Sequence, residues 1–153
     1  MKLGDVLKKE RTRRHLGREN VAQQLGLSEP EYVELEAGLS GAERWGPLLG
    51  RIAILLQAPT SRLVTESGRS VPANLGRVGA LIRSRRIQRG TAAEEFARLL
   101  ELSAPEYECI ENGSSAMERY GPLLLRFAEL VDQPIFNLLY PCGLPLEKVS
   151  SYP

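Results

Sequence analysis

The sequence predicts an all-helical protein in which one unit of five short helices occurs twice. Residues 3–68 align with residues 78–143 at a constant offset of 75 positions and without gaps, and 26 of the 66 aligned pairs are identical. In both copies apolar residues recur at the three- and four-residue spacing of amphipathic helices, separated by capping and turn residues. This self-similarity indicates a tandem duplication, so the function has to be sought in the repeated unit.

The repeat predicts two domains, a linker and a tail. Two units are too few for a solenoid, which usually needs at least three to bury its faces, so each copy is expected to have its own core. Each unit, at about 65 to 75 residues, lies near the lower limit for an adequate core, which favours packing between the copies. The predicted boundaries are a first domain over 1–68, a linker over 69–77, a second domain over 78–143 and a tail over 144–153.

The first, second, fourth and fifth helices of the unit follow from apolar spacing and from stop signals. The first helix is amphipathic and is predicted to end near Arg14 in the first copy and near Arg89 in the second. A short second helix is predicted to end at Gly26 in the first copy, where the second copy has Glu101. The remaining two are a fourth helix over 46–56 and 121–131, and a short fifth helix around Leu63 and Leu138.

The third helix carries the clearest boundary signals. Ser28 with Glu31, and Ser103 with Glu106, have the spacing of a capping box, in which the hydroxyl and the carboxylate each accept from a backbone N–H of the first turn. A proline follows two residues after each serine and is tolerated there, because a first-turn N–H has no partner within the helix. Gly38 and its counterpart in the second copy are placed to end the helix in a left-handed conformation.

Composition indicates an ordinary folded protein without a strong electrostatic preference. Charged residues make up 25% of the chain, hydrophobic residues 42%, and the net charge is +1. A dedicated nucleic-acid binder is usually much more basic. No apolar run reaches the roughly 18 residues of a membrane span, and Met1 leads directly into the first predicted helix, so we expect a cytoplasmic protein without membrane contact.

The sequence offers no set of residues suited to catalysis or to cofactor binding. His15 is the only histidine, and the second copy has Gly90 at its position, so no histidine-based site is repeated. Cys109 and Cys142 have no Cys-x-x-Cys partner, which argues against a zinc site or a disulfide framework. Glycine-rich phosphate loops and the common hydrolase motifs are missing. We therefore expect no enzyme activity, no cofactor, no metal and no small-molecule substrate.

The order of the helices resembles the Cro/repressor-type helix-turn-helix domain of bacterial and phage regulators, also called XRE-like or lambda-repressor-like. The most specific element is an arginine of the first helix 25 residues before a glutamate of the third, as Arg11 with Glu36 and Arg86 with Glu111. In this family the two side chains pair as part of the scaffold. The resemblance covers both copies and implies two tandem lambda-repressor-like domains of five helices each.

In the resembling family the third helix lies in the DNA major groove and contacts base edges. The matching positions are Glu29, Pro30, Val33 and Glu34 in the first copy, and Ala104, Pro105, Glu108 and Cys109 in the second. Arg, Lys, Asn and Gln supply the common contacts to guanine and adenine, whereas a carboxylate accepts only from cytosine and repels phosphate. The resemblance also implies a phosphate contact at Arg18, where the second copy has Ala93. These residue types disfavour conventional DNA docking.

Positive charge is concentrated instead on the first helix of each unit, where cations suit the carboxyl-terminal end of the helix dipole. A basic first helix and an acidic third helix make each domain electrostatically polarised. Two interpretations remain open, namely two solvated faces, or complementary surfaces for self-association or a protein partner. The basic surface comprises Lys8, Lys9, Arg13, Arg14 and Arg18, and Arg83, Arg85 and Arg89.

Trp45 and Tyr120 precede Gly-Pro-Leu-Leu in a motif common to both copies. We expect them to close each domain or to fill the junction between the copies, the alternative being an exposed recognition site.

Two functions are consistent with these observations. The leading hypothesis is a non-enzymatic tandem helix-turn-helix protein that acts through protein contacts as a regulatory or accessory subunit. The alternative is a sequence-specific DNA-binding transcription regulator, in which the two domains form an intramolecular pseudo-dimer.

Overall fold

The computed structural model describes residues 1–69 and 77–144, and all regular secondary structure in those ranges is helical. The all-α fold class predicted from the sequence is therefore confirmed. Nearly all of the predicted linker over 69–77 and of the predicted tail over 144–153 lies outside the described residues.

The first segment, residues 1–69, contains four α-helices and a short 3₁₀ helix. The second segment, residues 77–144, contains five α-helices and a short 3₁₀ helix. The helices are α1 (Leu3–Arg13), α2 (Arg18–Leu25), α3 (Glu29–Ala37), α4 (Ala42–Leu56) and the 3₁₀ helix Thr60–Leu63, followed by α5 (Val78–Arg89), α6 (Ala93–Leu99), α7 (Ala104–Glu111), α8 (Met117–Leu130), α9 (Ile135–Leu139) and the 3₁₀ helix Tyr140–Cys142.

Each helix of the second segment up to α9 begins 75 positions after its counterpart in the first. Two boundaries differ from the sequence expectation. The helix predicted to begin at Gly46 begins one turn earlier, at Ala42, so Pro47 lies inside α4 and removes one helix hydrogen bond. The fifth helix of the first segment is only a 3₁₀ turn, whereas its counterpart α9 is α-helical.

The predicted capping boxes and helix ends form as expected from the residue types. In both α3 and α7 the serine hydroxyl accepts from the N3 backbone N–H while the glutamate accepts from the cap N–H. Gly38 ends α3 in the left-handed region, with φ of 75°. At the end of α6, where the first segment has a glycine, Glu101 itself adopts a φ of 60°.

Helices α1 and α3 approach so closely that only glycine fits at the contact. A Cβ atom added at Gly4 would lie 2.5 Å from the carbonyl oxygens of both Leu35 and Glu36, and one added at Gly79 would clash in the same way with Ile110. These carbonyls belong to helix backbone and cannot move independently. The glycine therefore sets the distance between the first and third helices of each segment.

The two segments pack along α4 and α8 around a pseudo-two-fold axis. Gly46 faces Leu124 of the second segment, and the equivalent Gly121 faces Leu49 of the first. Near the amino-terminal end, Tyr120 lies against Gly41. These contacts join positions of similar rank near the amino-terminal halves of α4 and α8, which lie side by side.

The fifth helical elements are exchanged across this axis. Helix α9 contacts α1 and α4 of the first segment, and the 3₁₀ helix Thr60–Leu63 contacts α5 of the second. The methyl carbon of Leu139 would lie 3.3 Å from a Cβ at Gly46, and that of Val64 would lie 3.6 Å from a Cβ at Gly121. The buried apolar residues form one cluster that extends through both segments, rather than two separate cores.

Replacing Gly4 by alanine tests the close approach of α1 to α3. We expect a loss of about 1 to 3 kcal/mol in the free energy of unfolding, because the helices must separate to admit the methyl group. The measurement is urea denaturation followed by circular dichroism. Gly17→Ala is the matched control, because nothing lies within 4 Å of its Cβ position and the second segment has Ala92 there. Equal losses in the two variants would contradict the steric argument.

Candidate interaction surface

The first and third helices of each segment are joined by a nearly buried ion pair. The Arg11 Nε lies 2.6 Å from a Glu36 carboxylate oxygen, and Nη2 donates to the other oxygen at 3.1 Å. Arg11 also donates to the Leu16 carbonyl at 2.8 Å. The two side chains are 12% and 4% exposed. A two-point contact of this kind fixes the orientation of α3 on α1.

The same pair occurs in the second segment. The Arg86 Nε lies 2.6 Å from a Glu111 oxygen, and Arg86 donates to the Thr91 carbonyl. Burial is the largest single influence and would raise the pKa of Glu36, but the hydrogen bonds from Arg11 and Tyr32 and the charges of Arg11 and Arg18 together outweigh it, so the pKa is lowered. The Tyr32 hydroxyl is buried beside this pair, and desolvation raises its pKa.

A second set of scaffold carboxylates was not anticipated from the sequence. Glu43, at the start of α4, accepts from the backbone N–H groups of Leu3 and Gly4 at 3.0 and 2.7 Å and so caps α1 from outside that helix. Glu118 caps α5 in the same way. The signal was present in the sequence, because the Glu-Arg-aromatic-Gly-Pro motif recurs in both copies.

The four outward positions of α3 predicted from the family resemblance are all exposed, namely Glu29, Pro30, Val33 and Glu34. Glu29 and Glu34 form no ion pair with any residue of 1–69 or 77–144, and Val33 is 41% exposed. Leu39, just beyond α3, is 77% exposed. This side of the first segment therefore presents apolar side chains between unpaired carboxylates.

The corresponding side of α7 is also exposed but is more polar. Ala104, Pro105, Glu108 and Cys109 all face outward. The position of Leu39 is taken by Ser114, which donates to the Asn112 side chain at 2.6 Å. The two third helices consequently present different chemistry at equivalent positions.

The capping glutamates of α3 and α7 form ion pairs across the pseudo-two-fold axis. Arg119, near the start of α8, lies 3.3 Å from Glu31, and the equivalent Arg44 lies 3.1 Å from Glu106. The Ser28 backbone N–H, donating to the Glu31 carboxylate, lowers its pKa, and Arg119 contributes in the same direction. The amino-terminal ends of both third helices are thus held against the opposite segment.

The predicted basic surface is divided between solvent and the junction. Arg14 donates to the Val131 carbonyl at 3.0 Å and lies 3.2 Å from Asp132, and Arg89 donates to Gln57 at 3.0 Å. These two arginines join the segments, although both side chains remain exposed at the surface. Arg18 lies 3.6 Å from Glu36. The other predicted residues, Lys8, Lys9 and Arg13 on α1 and Arg83 on α5, are also exposed, whereas Arg85 is half-buried.

Trp45 and Tyr120 are half-buried and pack against the core. The Tyr120 hydroxyl would lie 3.2 Å from a Cβ at Gly41, so this ring occupies the junction between the segments. Arg44 stacks over Trp45 at 4.8 Å and Arg119 over Tyr120 at 5.3 Å. The same arginines thus contact an aromatic ring and the capping glutamate of the opposite segment.

The described ranges contain no cluster of three or more histidine, cysteine, aspartate or glutamate side chains suited to a metal ion. None of the helices within residues 1–69 and 77–144 has the length and apolar character needed to cross a membrane. Cys109 is exposed and Cys142 half-buried, and both are free thiols.

Comparisons of this chain with protein-family models, with curated proteins and with solved structures find no match.

Replacing Glu36 by glutamine tests the ion pair through its pH dependence. Because the pKa of Glu36 is lower in the folded protein than in the unfolded chain, the stabilisation is present above the unfolded value and is lost as pH falls through the folded one. At pH 7 we expect Glu36→Gln to lose about 3 kcal/mol of unfolding free energy, since Arg11 is left unpaired.

The variant should also show a shallower decline in stability than the wild type as pH falls below about 5. Urea denaturation at a series of pH values provides the measurement, with exposed Glu34→Gln as the matched control. Parallel pH profiles for wild type and Glu36→Gln would refute the assignment.

Proposed function

We propose that this chain is a non-enzymatic protein of regulator ancestry, built from two tandem lambda-repressor-like helix-turn-helix domains, that acts through protein contacts as a regulatory or accessory subunit. The Arg–Glu pairs between first and third helices support the domain assignment, because they match the scaffold pair of the resembling family. The succession of helices in both segments supports it as well.

The observation that carries the protein-contact function is the chemistry of α3. Its outward side presents Glu29 and Glu34 without an ion-pair partner in the described parts of the chain, and Val33 lies between them. A DNA backbone attracts proteins by counterion release from cations, and unpaired carboxylates at the contact oppose it. An acidic side with exposed apolar residues suits contact with a protein surface instead.

A DNA-binding regulator is the second candidate, and the pseudo-two-fold axis favours it. Dimeric repressors place two equivalent third helices about a two-fold axis, so that each contacts one half-site. Here the reciprocal pairs Arg44 with Glu106 and Arg119 with Glu31 hold the two third helices in a comparable symmetric relation. Against this candidate, Arg18 is drawn toward Glu36 and Arg14 is used at the junction.

Titration into mixed-sequence duplex DNA separates the two functions. At about 50 mM salt we expect no saturable binding up to about 10 μM protein, because the outward carboxylates of α3 would approach the phosphates. Fluorescence anisotropy of a labelled duplex provides the measurement, with an established helix-turn-helix repressor as positive control. Micromolar binding that weakens steeply with salt would overturn the protein-contact function.

Replacing Glu34 by glutamine tests the electrostatic argument directly. Removal of one unpaired carboxylate should strengthen whatever weak DNA association is detectable at the lowest salt, by up to several-fold, and should leave the unfolding free energy unchanged. Asp5→Asn, which removes an exposed carboxylate from α1, is the matched control and should have less effect. Weaker DNA association by Glu34→Gln would contradict repulsion at α3.

A further inference from the structure

Two exposed surfaces of the molecule are apolar at the centre and charged at the rim, and their charges are opposite. The first, here called the acidic face, lies on α3 and on Leu39, just beyond its capping glycine. Val33 and Leu39 are 41% and 77% exposed at its centre, and carboxylates flank them. The acidic face consists of Glu29, Val33, Glu34, Ala37 and Leu39.

The second surface, here the basic groove, runs between α5 and the carboxyl-terminal end of α7. It is a depression of about 590 Å³. Ile87 is 56% exposed within it, and Arg77, at one end, donates to the Asn112 carbonyl at 3.2 Å. Glu111, whose carboxylate is paired with Arg86, and Asn112 line the groove on the side of α7. The lining residues on the side of α5 are Arg77, Ala80, Arg83, Ser84, Ile87 and Gln88.

Each segment has only one of the two surfaces. At the positions of Val33 and Leu39 the second segment has Glu108 and Ser114, so α7 lacks the apolar centre. At the position of Ile87 the first segment has Thr12, so α1 lacks the apolar residue of the groove. Residues 1–69 and 77–144 therefore carry one acidic face and one basic groove, although the scaffold is nearly symmetric.

We propose that the acidic face of one molecule docks into the basic groove of a second copy of this chain. Exposed apolar side chains on both surfaces can bury each other, and the flanking charges are complementary, which orients the contact and excludes like surfaces. The chain itself supplies both complementary surfaces. Its net charge of +1 also opposes association very little.

The proposed contact joins different surfaces of the two molecules, so it is heterologous. Each docked pair retains one free acidic face and one free basic groove, and further copies can add until the assembly closes into a ring or continues as a filament. A modest contact of this kind is weak, with a dissociation constant on the order of tens of micromolar, so assembly depends on protein concentration.

Sedimentation velocity over about 10 to 500 μM protein tests whether the full chain associates. We expect the weight-average sedimentation coefficient to rise with concentration and the rise to diminish at high salt, because the rim charges are exposed. A monomer at every concentration and at low salt would overturn the proposal.

Two variants identify the surfaces, and each uses the residues of the equivalent positions in the other segment. V33E/L39S removes the apolar centre of the acidic face, and I87T removes that of the basic groove. Each variant alone is expected to lose association at least tenfold, with an unchanged thermal unfolding profile. The matched control is L99Q, which replaces an exposed leucine of α6, outside both surfaces, by its counterpart Gln24 and should associate like the wild type.

Mixing the two deficient variants gives the decisive measurement. V33E/L39S retains an intact groove and I87T retains an intact acidic face, so an equimolar mixture should form 1:1 dimers and nothing larger. A mixture that remains monomeric, or a single variant that still associates, would overturn the heterologous contact.

This inference shares with the proposed function the use of α3 for protein contact, and the two can fail separately. If the wild type is monomeric, a second copy of this chain does not occupy the acidic face. If the wild type binds DNA, the protein-contact function is wrong, whatever the state of association.

Discussion

The structure depends above all on the packing of α4 against α8, where a Cβ atom at Gly46 would lie only 3.2 Å from a methyl carbon of Leu124. With the two helices side by side, Arg119 reaches Glu31 and Arg44 reaches Glu106, so the third helices are fixed to the opposite segments. The same contact brings α9 over the first segment and the 3₁₀ helix Thr60–Leu63 over the second. A side chain at Gly46 would press on Leu124 and Leu139 of the second segment, at 3.2 and 3.3 Å, whereas a Cβ atom at Gly121 would make ordinary contacts with Val64 and Leu49 of the first.

Most charged side chains near the axis form ion pairs or hydrogen bonds within the molecule. The charges that remain set the electrostatic character of the exposed surface. Arg14, Arg44 and Arg119 make contacts between the segments while they stay partly exposed, and the capping glutamates Glu31 and Glu106 are paired with Arg119 and Arg44. The charges that remain on the third helix of the first segment are negative, at Glu29 and Glu34. Exposed pairs such as Arg44 with Glu106 contribute little free energy individually, about 0 to 1 kcal/mol, so their main effect is on orientation.

The sequence predicted the helices well and their assembly poorly. Local signals such as the capping box at Ser28 and the left-handed glycine at Gly38 act within one turn, so they can be read directly. The early start of α4 at Ala42 was not predicted, and Ala42 is buried in the core through tertiary packing. Contacts across the axis, such as Arg14 with Asp132 and Arg44 with Glu106, join residues far apart in the sequence, and no local pattern encodes them.

The exchange of the fifth helical elements has a consequence for the order in which the chain can acquire its structure during synthesis. Helix α9 covers α1 and α4, yet it is translated after every other α-helix of the described chain. Until α9 has been synthesised, the residues of α1 and α4 that it contacts lack that cover. The two segments are related in this respect like the subunits of a dimer that share one backbone, because each is partly covered by an element of the other.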